Sequence, residues 1–245
     1  MNHPKPSAGA GRKKAERTRS RILEAALQLF RERGFDGTTM RGIAAEAGVS
    51  LGNAYYYFKS KEHLIQAYYG RSHADHLVAC VELLERERDL KARLLGVVRA
   101  KIGTSQPYHR FAGQLFKTAA DPASPLSPFS PESMPVRREA TELMQLVFTG
   151  SDTKVSKDLA QELPNLLWLY LMGIILYWIH DGSEGCRRTH LLIDRTAEIV
   201  VRFIQISSLA PVRPLFRGAM RLVAELRELP EDRGDNPSSR ARGEA

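Results

Sequence analysis

Cysteine is scarce. Cys80 and Cys186 are the only two in 245 residues, which leaves no disulfide framework and fits a reducing cytoplasm. Sustained apolar–polar alternation is missing as well, so a sheet is excluded as the organising element. The opening stretch MNHPKPSAGAGRKK carries charge but no apolar segment behind it. It reads as a flexible basic arm over residues 1–13 and not as a secretory leader. The uncharged run LPNLLWLYLMGIILYWI at 163–179 falls short of the ~20 residues that a membrane span needs, and a buried helix is expected there. The sequence also lacks a phosphate-cradling Gly loop, a Gly-x-Ser-x-Gly elbow and a His-Glu-x-x-His pair. No catalytic constellation stands out, and neither enzymatic activity nor a cofactor is expected.

What is present is helical pattern and positive charge. Of the net charge of +8, residues 1–64 carry most, with 12 Lys and Arg against 6 Asp and Glu. A basic end on a nearly neutral body suits an anionic partner, either nucleic acid or an anionic membrane surface. Ile22, Ala25, Ala26, Leu29 and Phe30 recur at helical spacing, so a first helix ends near Gly34, with Arg12, Lys13, Lys14, Arg17, Arg19 and Arg21 crowding its start. A second helix follows Thr38-Thr39, either of which can cap it, and stops at Gly48. A third, capped by Ser50, runs through Leu51 to Phe58. Ser60 is placed to cap a long fourth helix over 61–88. Further helices are expected at 90–103, 107–120, 132–149, 154–180, 188–208 and 212–228, and a disordered tail at 230–245. The fold class is therefore all-α.

Two short helices joined by a Gly-containing turn form a helix-turn-helix, whose second helix enters the major groove of double-stranded DNA. From Thr38 to Leu64 the sequence reads TTMRGIAAEAGVSLGNAYYYFKSKEHL. Ala44 and Ala45 allow close helix approach, Gly48 the tight turn, and Ala54 with Phe58 anchors the third helix. Leu51, Gly52, Asn53, Tyr55 and Tyr56 are the candidates for base and phosphate contact, joined by Thr39, Arg41 and Lys61. Along its whole length this stretch resembles the signature of the TetR family of bacterial transcriptional regulators. In that family, residues at the places of Thr39, Gly52, Asn53, Tyr55, Tyr56 and Lys61 commonly touch DNA. The resemblance implies a DNA-binding head at 14–64, a helical effector-binding and dimerisation domain at 65–229, a homodimer on a palindromic operator, and release by a small molecule.

Within 65–229 the aromatic and soft apolar residues Tyr108, Phe111, Phe116, Met144, Phe148, Trp168, Tyr177 and Trp178 are candidates to line a cavity for a hydrophobic or aromatic effector, with core packing as the competing reading. The helices at 154–180 and 188–208 are candidates for the dimer interface through Trp168, Leu169, Leu171, Met172, Ile175, Leu176, Ile199, Val200, Phe203 and Ile204, with Gly173 marking a close helix contact. His73, His76 and Cys80 share one helix face, so a metal or redox sensor with the same head is an alternative. A protein that uses its basic arm on a membrane or partner is another. Prolines at 122, 125, 128 and 131 suggest an extended polyproline-like path across 121–135.

Overall fold

The computed structural model describes residues 8–207 together with Leu209, Gly218, Arg221 and Glu225. Apart from Gly218, Arg221 and Glu225, the helix expected at 212–228 lies outside the described residues, as does the tail from 230. Among the described residues there are nine α-helices and no strand. They are α1 (Ala8–Arg33), α2 (Met40–Glu46), α3 (Leu51–Tyr57), α4 (Lys61–Arg86), α5 (Leu90–Ser105), α6 (His109–Ala119), α7 (Met134–Thr149), α8 (Lys157–Ile179) and α9 (Arg187–Ser207). The basic arm was expected to be flexible through residue 13, but α1 begins at Ala8. Gly9 and Gly11 weaken its first turn, but Ala8, Ala10 and the Lys/Arg run are good helix formers and no proline lies between Ala8 and Arg33.

Two cores organise the chain. The first gathers Ile22, Ala26, Leu27 and Phe30 of α1, Ile43 and Ala44 of α2, Ala54 of α3, and Leu64, Ile65 and Tyr68 of α4. Phe111 and Leu115 of α6 and Leu126 of the following loop complete it, with Phe111 stacked on Phe30 at 5.5 Å. The second core centres on α5, whose Leu94, Val97, Val98 and Ile102 meet Leu143, Met144 and Val147 of α7, Leu167, Leu171 and Trp178 of α8, and Ile193, Ala197 and Val201 of α9. Helix α4 begins in the first core and ends against the second, so the two share one rigid connector. A Cβ on Gly96 would stand 2.0 Å from the Leu83 side chain. A side chain there would push the Leu83 side chain aside where α4 and α5 cross.

Buried Arg93 fixes the C-terminal ends of two helices. Its guanidinium donates to the carbonyls of Leu84 (2.7 Å), Glu87 (2.5 Å), Leu146 (2.6 Å) and Val147 (2.7 Å), in the region where helix ends run out of intrahelical donors. The proline segment is not an extended path. Its repeat is Asp121-Pro-Ala-Ser124-Pro-Leu-Ser127-Pro-Phe-Ser130-Pro-Glu-Ser133, and each Ser N–H donates to the carbonyl three residues back, at 3.0, 3.0, 3.0 and 3.2 Å. Proline at the second place of a turn presets φ, while the Asp or Ser before it accepts from a later amide, as Asp121 does from Ala123 and Ser124 from Leu126. Four linked turns result. Gln66 Nε2 on α4 donates to the Pro125 carbonyl (2.7 Å) and Ser133 Oγ (3.1 Å), and Tyr69 donates to the Leu126 carbonyl (3.2 Å). Phe129 stands edge-on to Trp168 of α8, so the segment straps α8 to the start of α4.

The stretch Leu159–Ile179 of α8 is 21 residues long and apolar enough to cross a membrane by length and composition alone. Here Leu163, Leu167, Leu171, Ile174 and Trp178 pack into the second core.

Candidate nucleic-acid interface

Thr39, not Thr38, caps α2, its hydroxyl accepting from Gly42 N at 3.1 Å. Buried Thr38 donates to the Gly34 carbonyl instead (2.8 Å). The chain then reverses at Gly48, whose φ of +61° favours glycine. Val49 N–H closes the turn on the Ala44 carbonyl at 2.9 Å, and Ser50 Oγ accepts from Asn53 N at 3.2 Å to start α3. Ser60 holds the cap position of α4, but its hydroxyl meets His63 Nδ1 (3.0 Å) and caps no backbone amide.

Helix α3 is held from below and open above. Ala54 is fully buried and Phe58 nearly so, with the Arg19 guanidinium 4.9 Å over the Phe58 ring. On the other face Tyr55 is 48% exposed and Tyr56 81% exposed, and the space where a Gly52 side chain would be is empty. Asn53, Thr39 and Arg41 are exposed as well. The Tyr56 ring touches Tyr57 edge-on at 5.2 Å and otherwise faces water, an amphipathic surface of the kind that base edges and phosphates meet. The sequence placed these residues together and the structure does too. Leu51 differs, being half-buried against the head's core. Lys61 is half-buried too, donating to the Phe35 carbonyl at 2.6 Å with its ammonium 4.3 Å above the Phe35 ring. Arg12, Lys13, Lys14, Arg17, Arg19 and Arg21 are all exposed on α1. Contact with Phe58 brings Arg19 beside the end of α3, which helical spacing within α1 could not have revealed.

The eight aromatic and soft apolar candidates do not line one cavity. Phe111 belongs to the head's core, while Met144, Phe148, Trp168 and Trp178 are buried in the second. Tyr108 faces Tyr68 at 5.0 Å, Phe116 faces His180 at 5.8 Å, and Tyr177 is largely exposed. Good apolar packing accounts for most of them. A groove of about 390 Å³ instead lies between α4 and α7, lined mainly by Leu77, Val81, Leu84, Leu146, Arg93 and Gly150. It contains no aromatic side chain.

His73, His76 and Cys80 all point inward. His76 Nε2 is bonded to the Val97 carbonyl (2.8 Å), and burial pushes its pKa down to about 4. Burial also pushes the Cys80 thiol up to about 11, which disfavours a reactive thiolate. Among the described residues no three His, Cys, Asp or Glu side chains gather as a metal site.

Fold and site together define a helix-turn-helix protein whose recognition helix is exposed and whose second, larger domain is helical. Residues 22–68 match the family described as bacterial regulatory proteins, tetR family, and residues 93–222 match the tetracyclin repressor-like C-terminal domain. The chain belongs to the TetR family. It is 47% identical over 53 residues to the HTH-type transcriptional regulator UidR of Escherichia coli, covering 22% of this chain and 27% of that protein. The chain spans about a quarter of the length of the curated relatives it matches. Among solved structures it resembles a TetR-family regulator from Pectobacterium atrosepticum, with a TM-score of 0.60 at 19% identity over 80% of this chain and 97% of that one. FadR from Bacillus subtilis, solved with stearoyl-CoA, gives a TM-score of 0.58 at 14% identity over 73% of this chain and 96% of that one.

Proposed function

We propose that this protein is a transcriptional repressor acting in the cytoplasm, which binds a palindromic operator in double-stranded DNA as a homodimer and is released by a small hydrophobic effector. The observation that carries this reading is the outer face of α3, where Gly52, Asn53, Tyr55 and Tyr56 are exposed above a buried Ala54–Phe58 anchor. Thr39, Arg41 and the exposed cations of α1 flank that face and supply phosphate contacts. Lys61, held at the Phe35 carbonyl and ring, turns its remaining N–H toward a phosphate.

Dimerisation is supported by apolar side chains left in water on the two helices anticipated for it. Leu169, Leu176 and Tyr177 of α8 and Leu191, Ile199, Phe203 and Ile206 of α9 are exposed. Trp168, Leu171 and Ile204, expected in the same interface, are buried within the chain and belong to its core. Gly173 sits between Leu169 and Leu176 with open space around it, so its close contact is with the partner helix and not within the chain. Two copies are needed because one such helix reads too few bases.

The effector acts through α4, which joins the two cores. The α4–α7 groove accepts an apolar body, and a ligand that prefers a different α4 tilt moves the heads off their half-site spacing. The stearoyl-CoA of the Bacillus FadR is not carried over, since 14% identity shows the fold alone. Selection from random duplex DNA at near-physiological salt, followed by sequencing, tests the reading. A recovered palindrome is expected, whereas salt-sensitive binding without sequence preference would overturn it.

A further inference from the structure

One turn along α4 from the α4–α7 groove lies a group of polar side chains that the fold leaves incompletely satisfied. Lys101 of α5 reaches back to α4, where its ammonium donates to Ser72 Oγ at 2.9 Å. Among the described residues no carboxylate lies within ion-pair distance of it, although Lys91 and Arg99 on the same helix are paired with Glu198 and Asp194. Next to Ser72, His73 is 4% exposed, and its Nε2 is buried with no hydrogen-bond partner. The nearest acid is Glu139 of α7, at 3.9 Å, beyond hydrogen-bond reach. A partly buried ammonium whose nearest acid, Asp75, stays beyond ion-pair distance, and an orphaned imidazole nitrogen, both cost stability.

His73 lies one helical turn before Leu77, the nearest groove residue on α4, and Ser72 next to it holds Lys101 there. His73, Leu77, Val81 and Leu84 follow one another along one face of α4, while Glu139 and Leu146 lie two turns apart on α7. Arg93, the other cation at the groove, has four of its five N–H groups on backbone carbonyls, which leaves little of it for an anion. The geometry points to Lys101 and His73 as the holders of a carboxylate on the effector, whose apolar body occupies the α4–α7 groove. This rests on the effector reading above and narrows it to monocarboxylic acids with an unbranched or compact apolar tail. One ammonium and one neutral imidazole supply a single positive charge and about three N–H donors, which match a carboxylate and not a doubly charged phosphate. Glu139 already places a carboxylate 3.9 Å from His73. Its side chain is half-exposed, and it swings into water when the ligand's acid takes the nearer position. Ser72 and His73 are on α4, the helix that carries the head, so the acid draws α5 against the connector.

Calorimetric titration of the full chain with octanoate, decanoate and dodecanoate, beside the matched alcohols, tests this. Saturable binding of at least one acid, with the alcohol weaker by about tenfold or more, is expected. Lys101→Met abolishes that difference while leaving alcohol binding unchanged, and His73→Gln, which keeps a donor, retains part of it. Asp75 and Cys80 face Lys101, while Glu139, Glu142 and His76 face His73. Burial pushes Lys101 down to about 8, the histidines down and Cys80 up to about 11, so Lys101 is the group that titrates near 8. Acid affinity therefore falls as pH rises through about 8 in the wild type and not in Lys101→Met. Failure of all three acids to bind, or equal acid binding by wild type and Lys101→Met, overturns the assignment. A selected palindrome without acid binding leaves the repressor reading intact, and acid binding without sequence-selective DNA binding removes that reading alone.

Discussion

Replacing Tyr56 by Ala separates DNA contact from folding. The ring is 81% exposed, and full burial of a large apolar side chain contributes about 1.5–3 kcal/mol, so the covered fifth of Tyr56 carries roughly 0.3–0.6 kcal/mol. Its edge contact with Tyr57 at 5.2 Å adds at most about 1 kcal/mol, and alanine's better helix propensity returns about 0.5 kcal/mol. Urea unfolding of Tyr56→Ala should therefore lie within about 1 kcal/mol of wild type. On DNA, losing one contact costs about 1–3 kcal/mol per half-site, or about 2–6 kcal/mol for a symmetric dimer. Affinity for the selected duplex, measured by fluorescence anisotropy at near-physiological salt, should fall roughly thirtyfold or more. Phe58→Ala is the contrasting control. Its side chain is buried beneath Arg19, so about 3–5 kcal/mol of stability is lost and DNA binding goes with the folded head. A stably folded Tyr56→Ala that binds with wild-type affinity would refute α3 as the recognition helix in this orientation.

Arg93→Met should cost about 3–5 kcal/mol in chemical denaturation, because the buried Val147 carbonyl and the part-buried carbonyls of Leu84, Glu87 and Leu146 lose the Arg93 donor together. Stability should also fall with acid. The folded-state pKa of His76 is depressed to about 4 from the ordinary 6.5, so the unfolded chain takes up that proton first. The contribution is whole above about pH 6.5 and is lost as pH drops toward 4, about 3 kcal/mol in all. Denaturation midpoints across that window check it, and His76→Gln should flatten the slope. Phe203→Glu puts a charge into the exposed stripe of α9. Sedimentation velocity should then show a monomer, and affinity for the palindrome should collapse, while a dimer of unchanged stability would move the interface elsewhere.

The helix-turn-helix was legible in the sequence because everything that makes it is local. Thr39 and Ser50 cap amides three residues on, Gly48 supplies the positive φ, and Ala54 falls on the inner face of α3 by helical spacing alone. Helical periodicity also marked α8 and α9 as apolar on more than one side. It could not say what covers each side, so Trp168 and Leu171 went to the chain's own core while Leu169 and Phe203 stayed exposed. The proline repeat misled for a related reason. Proline fixes φ, but ψ in each turn is set by hydrogen bonds among the serines and to Gln66 and Tyr69, more than 50 residues earlier. The polar cluster around Lys101 and His73 was least legible. Lys101, Ser72, His73 and Glu139 meet only because α4, α5 and α7 pack side by side, and the missing partners of Lys101 and His73 exist as facts only once that packing is known. Sequence determined what each helix can bury or cap within its own turns. Tertiary structure decided which polar groups are removed from water without a partner, because desolvation depends on every neighbour in space and not on neighbours along the chain.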